Sequence, residues 1–193
     1  GSLLFWTWLI ALFASWVSYH RIRVMGDRVT TVALAIMNIV IGLFIGTMLL
    51  STSNDPFIAT PAQFLGENGE RIGTAALWGM NKLLEHWAMV FHPPATFIGY
   101  AGLTVPFAYA IATLIVGDES RRWVEHSNRI TLFSWLLLSV GIGLGAVWAY
   151  VVLGWGGYWG WDPVENASLL SWLTGVALLH SMTVVRKRKR YQH

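Results

Sequence analysis

The 193-residue chain contains no cysteine. It can form no disulfide and offers no thiol, so thiol chemistry at this protein would draw on the cysteines of a partner. Charge is scarce as well. Asp, Glu, Lys and Arg make up 12% of the chain, against about a quarter in soluble domains, which argues against an ordinary water-soluble globule. Polar and apolar residues do not alternate. The apolar residues, 55% of the total, run in continuous blocks, and this excludes a transmembrane β-barrel. No Ser-His-Asp set, phosphate-binding loop or paired-carboxylate site occurs, and no internal repeat or low-complexity linker is visible. The chain opens Gly1-Ser2-Leu3-Leu4-Phe5-Trp6, with no Met and no positively charged segment before the first apolar block. That is not a signal peptide. It reads as the start of a fragment, a processed product or one piece of a split protein.

Five apolar blocks are present, at about 3–20, 30–51, 93–116, 131–153 and 166–185. Each approaches or exceeds the roughly 18 residues that cross a hydrocarbon core. A lone helix satisfies its own backbone groups in lipid and a lone strand does not. The expected fold is therefore all-α: a polytopic membrane helical bundle of about five transmembrane helices forming a single membrane domain over 1–193. Of the 13 Lys and Arg residues, all but Arg71 and Lys82 fall at Arg21 to Arg28, Arg121 to Arg129 and Arg186 to Arg190. With five spans these groups share one side, which the positive-inside rule makes cytoplasmic. The segment 52–92 and the loop 154–165 then face outward. Within 52–92, the apolar residues Trp78, Leu83, Leu84, Trp87 and Phe91 among polar neighbours fit an interfacial helix from Leu77 to Phe91. The alternative is a simple connector. The Arg186-Lys-Arg-Lys-Arg190 tail reads as a stop-transfer anchor on anionic lipid, with no nucleic-acid partner.

The most distinctive segment is Trp155-Gly-Gly-Tyr-Trp-Gly-Trp-Asp-Pro-Val-Glu-Asn166. Its rings offer flat apolar faces, and its glycines let the backbone approach something large and planar. Asp162, Pro163 and Glu165 have the spacing of a helix N-cap, first-turn proline and capping-box acid. The rings would then form a platform directly above the start of the fifth span. His92, ahead of Pro93-Pro94, is expected at the outer end of the third span, where proline suits a helix start. It is either an interfacial residue or an axial metal ligand, neutral imidazole being the commonest metal ligand in proteins. His180 lies 17 residues beyond Pro163, about 25 Å deeper at the usual helical rise. It either bonds a neighbouring helix or marks a second, embedded site. His20 reads as interfacial. Gly141, Gly143 and Gly145 read as a close-packing face.

Trp155 to Ser168 resembles the tryptophan-rich WWD signature of haem-handling membrane proteins. The Val-Glu-Asn-Ala-Ser continuation, His92-Pro-Pro, the Gly79-Met-Asn-Lys-Leu-Leu84 approach and Leu179-His180-Ser181 are similar to the CcmF branch, the haem lyases of the bacterial cytochrome c maturation system. The resemblance covers essentially the whole chain. It implies that Trp155, Gly156, Gly157, Tyr158, Trp159, Trp161 and Asp162 contact an outer-face haem, with His92 one ligand of its iron. It implies that His180 is one ligand of a second, membrane-embedded b-type haem. It implies the haem chaperone CcmE, apocytochrome c and CcmH and CcmI type subunits as partners. It also implies an inner membrane, bacterial or mitochondrial, with the loop on the periplasmic or intermembrane side. Family members carry further spans before and after the matching region, including the second ligand of each iron. A companion chain supplying them is one expectation; a haem-transfer module without catalysis is the alternative reading, and an unrelated Trp-rich transporter or structural subunit is a remote one. Tyr158, Gly160 and Ser171 depart from the residues common at those positions.

Overall fold

A computed structural model describes the chain except for residues 23–26, 52–53, 58, 71, 73–80, 155 and 191–193. Five long helices carry the fold, and all five are long and apolar enough to cross a membrane. Helix α1 (Ser2–Val17) ends in a wide π turn, Ser18–Ile22. Helix α2 (Arg28–Leu50) starts where Asp27 accepts the Thr30 amide at 2.6 Å, the usual way to satisfy a free first-turn donor. Helix α3 runs Trp87–Val116, α4 runs Arg122–Trp148 with a second π turn at Ala149–Leu153, and α5 runs Pro163–Arg190.

Three boundaries differ from the hydropathy reading. Helix α4 begins nine residues before the expected span, because Arg122, Glu125 and Arg129 occupy its polar first turns. Helix α5 continues to Arg190 for the same reason. Helix α3 begins at Trp87, capped by His86, whose Nδ1 accepts the Ala88 amide at 3.3 Å. His92, Pro93 and Pro94 therefore lie in its second turn rather than at its start. Each proline forfeits one helical bond, to the carbonyls of Met89 and Val90, and the helix tolerates both near its exposed end. Leu77 and Trp78 fall outside the described residues. The rest of the expected interfacial helix divides into a 3-10 turn, Lys82–Leu84, and the opening of α3.

Helix α3 is the centre of the bundle and touches all four others. One side of it joins α1 and α2 in a core containing Ile10, Val17, Met37, Val105 and Tyr109. The Tyr109 hydroxyl meets the Thr30 hydroxyl at 3.1 Å inside that core. The other side meets α4 along a seam of small residues. Gly99 lies against Leu138, Gly102 against Ser134, Gly141 against Thr96 and Gly145 against His92. The buried hydroxyls of Thr131 and Ser134 donate to carbonyls one turn back within α4, so the seam contains polar atoms without orphaning them. Gly143 faces open space. Of the three glycines read as a packing face, two carry the contact.

The α3–α4 turn is held by Asp118. The Ser120 amide and then its hydroxyl donate to this carboxylate, which holds it below the usual carboxylate range. Its contribution to the turn is present at neutral pH and fades as acid protonates it.

A methyl at Gly102 would collide with the Ser134 hydroxyl. Gly102→Ala should cost about 1–3 kcal/mol through overpacking. Gly143→Ala should be neutral or should stabilise by up to about 1 kcal/mol, the helix propensity difference. Titrating micelle-embedded protein with a denaturing detergent, followed by helicity, reads both; equal destabilisation would contradict the seam.

Candidate functional site

At the end of the bundle opposite the basic residues, α3, α4 and α5 surround a cavity of about 190 Å³. His92, Thr96 and Tyr100 enter it from α3, four residues apart and hence on one helical face. Gly145, Ala146 and Trp148 form the α4 wall, and Trp159, Asp162 and Glu165 the third side. His92 and the Trp-rich loop, 67 positions apart from His92 to Trp159 in the chain, thus line one space.

His92 is held by two features of α4. Its Nδ1 lies 2.7 Å from the Gly141 carbonyl oxygen. Because a carbonyl can only accept, Nδ1 carries the proton and donates, which leaves the lone pair of the neutral ring on Nε2. The ring also comes close to Gly145, where a Cβ would stand 2.7 Å from Cε1 and 2.9 Å from Nδ1. Only glycine permits this approach. A fixed tautomer with a free Nε2 is the state in which a protein histidine meets a metal.

The loop is tied to α5 by a reciprocal capping box. The Glu165 amide donates to Asp162 Oδ1 at 2.7 Å. The Glu165 carboxylate accepts from the Gly160 amide at 2.9 Å and more weakly from Asp162 at 3.4 Å. The spacing read from sequence is therefore realised, and Glu165 reaches further along the loop than a capping box requires. Trp161 sits in the left-handed region at φ 58, an uncommon conformation for a bulky residue. Its carbonyl accepts from the Asn166 side chain at 3.1 Å.

The expected loop residues divide. Trp159 and Asp162 line the cavity. The Trp159 Nε1 is buried and has no hydrogen-bond partner among the described residues, a costly state unless another group accepts from it. Trp161 packs edge-on against Trp159 with its outer side open, at 69% exposure. Tyr158 is exposed and stacks on Tyr150 of the second π turn, with centroids 4.4 Å apart and planes 14° from parallel. Gly156, at φ 74, turns the chain, and Gly157 faces open space. Trp155 lies outside the described residues. His180 is exposed on α5, in a shallow groove with Trp135 and Thr183, away from the His92 cavity. His20 stacks on Trp16 at the basic end.

Sequence reasoning missed four contributors. Thr96 and Tyr100 were legible in principle from the four-residue spacing after His92. Tyr150 carries no local signal, because the wide turn that aims it leaves none. The Trp148 indole donates to the Leu83 carbonyl at 2.9 Å, pinning the segment before α3 against α4, a contact 65 residues apart in sequence.

A family model described as "Cytochrome C assembly protein" matches residues 1–192. The chain belongs to the cytochrome c assembly protein family. Within it, the chain is 41% identical over 192 residues to the cytochrome c-type biogenesis protein CcmF of Haemophilus influenzae, covering 100% of this chain and 28% of that protein. It is 40% identical over 193 residues to CcmF of Escherichia coli, again covering all of this chain and 28% of the relative. It is 37% identical over 195 residues to the probable biogenesis protein NrfE of Escherichia coli, of which it covers 33%. The chain thus spans about a third or less of the length of these relatives. No solved structure matches. Membership of this family and five membrane-crossing helices identify an integral membrane protein of cytochrome c biogenesis.

Removing the loop's anchor should loosen it locally. Glu165→Ala should cost about 0.5–2 kcal/mol, read as roughly 2- to 30-fold faster amide hydrogen exchange at Gly160 and Asp162. The Thr131 amide in the seam should exchange at its original rate.

Proposed function

We propose that the His92 cavity and the Trp-rich loop hold one side of a haem at the outer face of the membrane, as part of the machinery that attaches haem to apocytochrome c. The observation that carries this reading is the convergence of His92 and Trp159 on one cavity, with the His92 proton committed to Gly141 and Nε2 left for iron. The fit extends to the surroundings. Phe97, Tyr100 and Trp159 supply flat walls, and the buried Trp159 Nε1 lacks an acceptor among the described residues, which an anionic haem edge would provide. The cavity is smaller than the roughly 300–1,000 Å³ of complete ligand pockets. It would therefore hold part of a haem, with His92, Phe97, Tyr100 and Trp159 as the residues in contact.

Bound haem supplies the two vinyl groups. Each thiol of an apocytochrome Cys-x-x-Cys-His motif adds across one vinyl double bond, so the reaction needs no cysteine here. This chain's residues contribute positioning. His92 would hold the iron, Gly141 and Gly145 hold His92 in place, and the Glu165 anchor ties the loop that carries the rings. Under this proposal the loop faces the periplasmic or intermembrane side. CcmE would deliver haem, and CcmH and CcmI type subunits would present the apoprotein. His180 would face a second, embedded haem across its open groove, and protein outside this chain would complete both ligand sets. The alternative, a haem-transfer module without catalysis, uses the same cavity.

Two variants separate binding from mere folding. His92→Ala should abolish the outer-haem Soret absorbance and reduce thioether-linked cytochrome at least tenfold in cells carrying the whole maturation system. Gly145→Val keeps the histidine but displaces its ring, so it should give a similar loss with altered iron-ligand spectra. Full cytochrome yield from both variants would exclude His92 as a ligand. Normal haem binding with no yield in any reconstituted system would favour the transfer module.

A further inference from the structure

A groove between α1 and α4 runs from the middle of the bundle to its basic end. Its inner part is almost wholly apolar, with a volume of about 480 Å³, and is walled by Leu9, Leu12 and Phe13 of α1, Ile98 of α3 and Phe133 of α4. Its outer part, about 540 Å³, mixes polar and apolar lining and is bordered by His20, Glu125, His126, Arg129 and Arg186. Trp16, Arg129 and Ile130 border both parts, so the two volumes adjoin. Leu9 and His20 are eleven residues apart, which gives the groove a length of about 16 Å at the usual helical rise.

The rim carries a positive balance of charge. Arg129 on α4 and Arg186 on α5 are both exposed, and among the described residues neither makes an ion pair. Glu125 is the carboxylate on the rim, and two guanidiniums outweigh it. His20 and His126 border the same rim. Lys187 and Arg188 follow Arg186 in the chain but do not line the groove. An apolar trough that opens onto unpaired guanidiniums at the depth where a helix leaves the hydrocarbon matches an amphiphile with one anionic end.

We propose that this groove is a binding site for an anionic phospholipid, with the headgroup phosphate between Arg129 and Arg186 and one acyl chain along Leu12, Phe13 and Phe133. Basic pockets between membrane helices take such headgroups. The Arg129 fork can meet two phosphate oxygens at once. The site is separate from the His92 cavity and does not depend on its contents. It would anchor α1, through Trp16 and His20, to the ends of α4 and α5.

The full chain, purified in mild detergent and offered phosphatidylglycerol, should retain one phosphatidylglycerol in native mass spectra and release it only at high activation energy. Arg129→Gln should weaken retention about fivefold and Arg129→Gln/Arg186→Gln about 25-fold, following the contribution of each basic side chain near a lipid surface. Lys187→Gln/Arg188→Gln, which removes charge outside the groove, should change retention less than twofold. Leu12→Trp, which fills the trough and spares every cation, should also abolish retention, and excess inorganic phosphate should not compete. Helicity spectra verify that each variant is folded. Equal losses in both double variants would reduce the effect to general surface charge and overturn the proposal. So would retention unaffected by Leu12→Trp, or a groove that binds no lipid because a further protein helix fills it.

Discussion

The close approach of α3 and α4 is the constraint on which the rest depends. Lipid tails are as apolar as leucine, so helices inside a membrane gain little from hydrophobic association and hold together by packing and hydrogen bonds. Gly99, Gly102, Gly141 and Gly145 remove the side chains that would separate these two helices. One consequence is structural: α3 becomes a central post against which the other four helices pack. The other is chemical. The backbone of α4 comes near enough for the Gly141 carbonyl to accept the His92 proton and for Gly145 to seat the ring. Packing and histidine orientation thus share the same residues.

The loop obeys a different logic. Among its described residues, Trp161 and Tyr158 remain largely open. Its order comes from the start of α5, through Asp162, Glu165 and Asn166, and from the Tyr150–Tyr158 stack. A rigid seam on one side and a tethered loop on the other leave a narrow gap between them. Under the haem proposal, one edge of the macrocycle would lie in this gap, between the imidazole of His92 and the ring of Trp159.

Much of this was legible in the sequence, for physical reasons that differ from element to element. The five spans were visible because lipid demands continuous apolar runs. The capping box was visible because its spacing is local, fixed by the first turn of one helix. Helix boundaries were less visible, since hydropathy marks the apolar middle of a helix and not its polar ends; Arg122 to Arg129 and Arg186 to Arg190 are helical but hydrophilic. Pro93-Pro94 misdirected the start of α3, because proline marks a first turn only when nothing upstream caps an earlier one, and His86 does. The contacts of Trp148 with Leu83 and of Tyr150 with Tyr158 depend on chain reversals that no window of sequence contains.

The second π turn has a consequence for how this architecture can change. Adding or removing one residue in a regular helix rotates everything beyond it by about 100°. The wide turn at Ala149–Leu153 lies after the last seam glycine, Gly145, and before the loop. One residue lost there would swing Tyr150 and the incoming end of the loop around the helix axis while leaving the α3–α4 contact in register. The aim of the aromatic platform and the packing of the bundle can therefore evolve independently, with a single codon as the unit of adjustment.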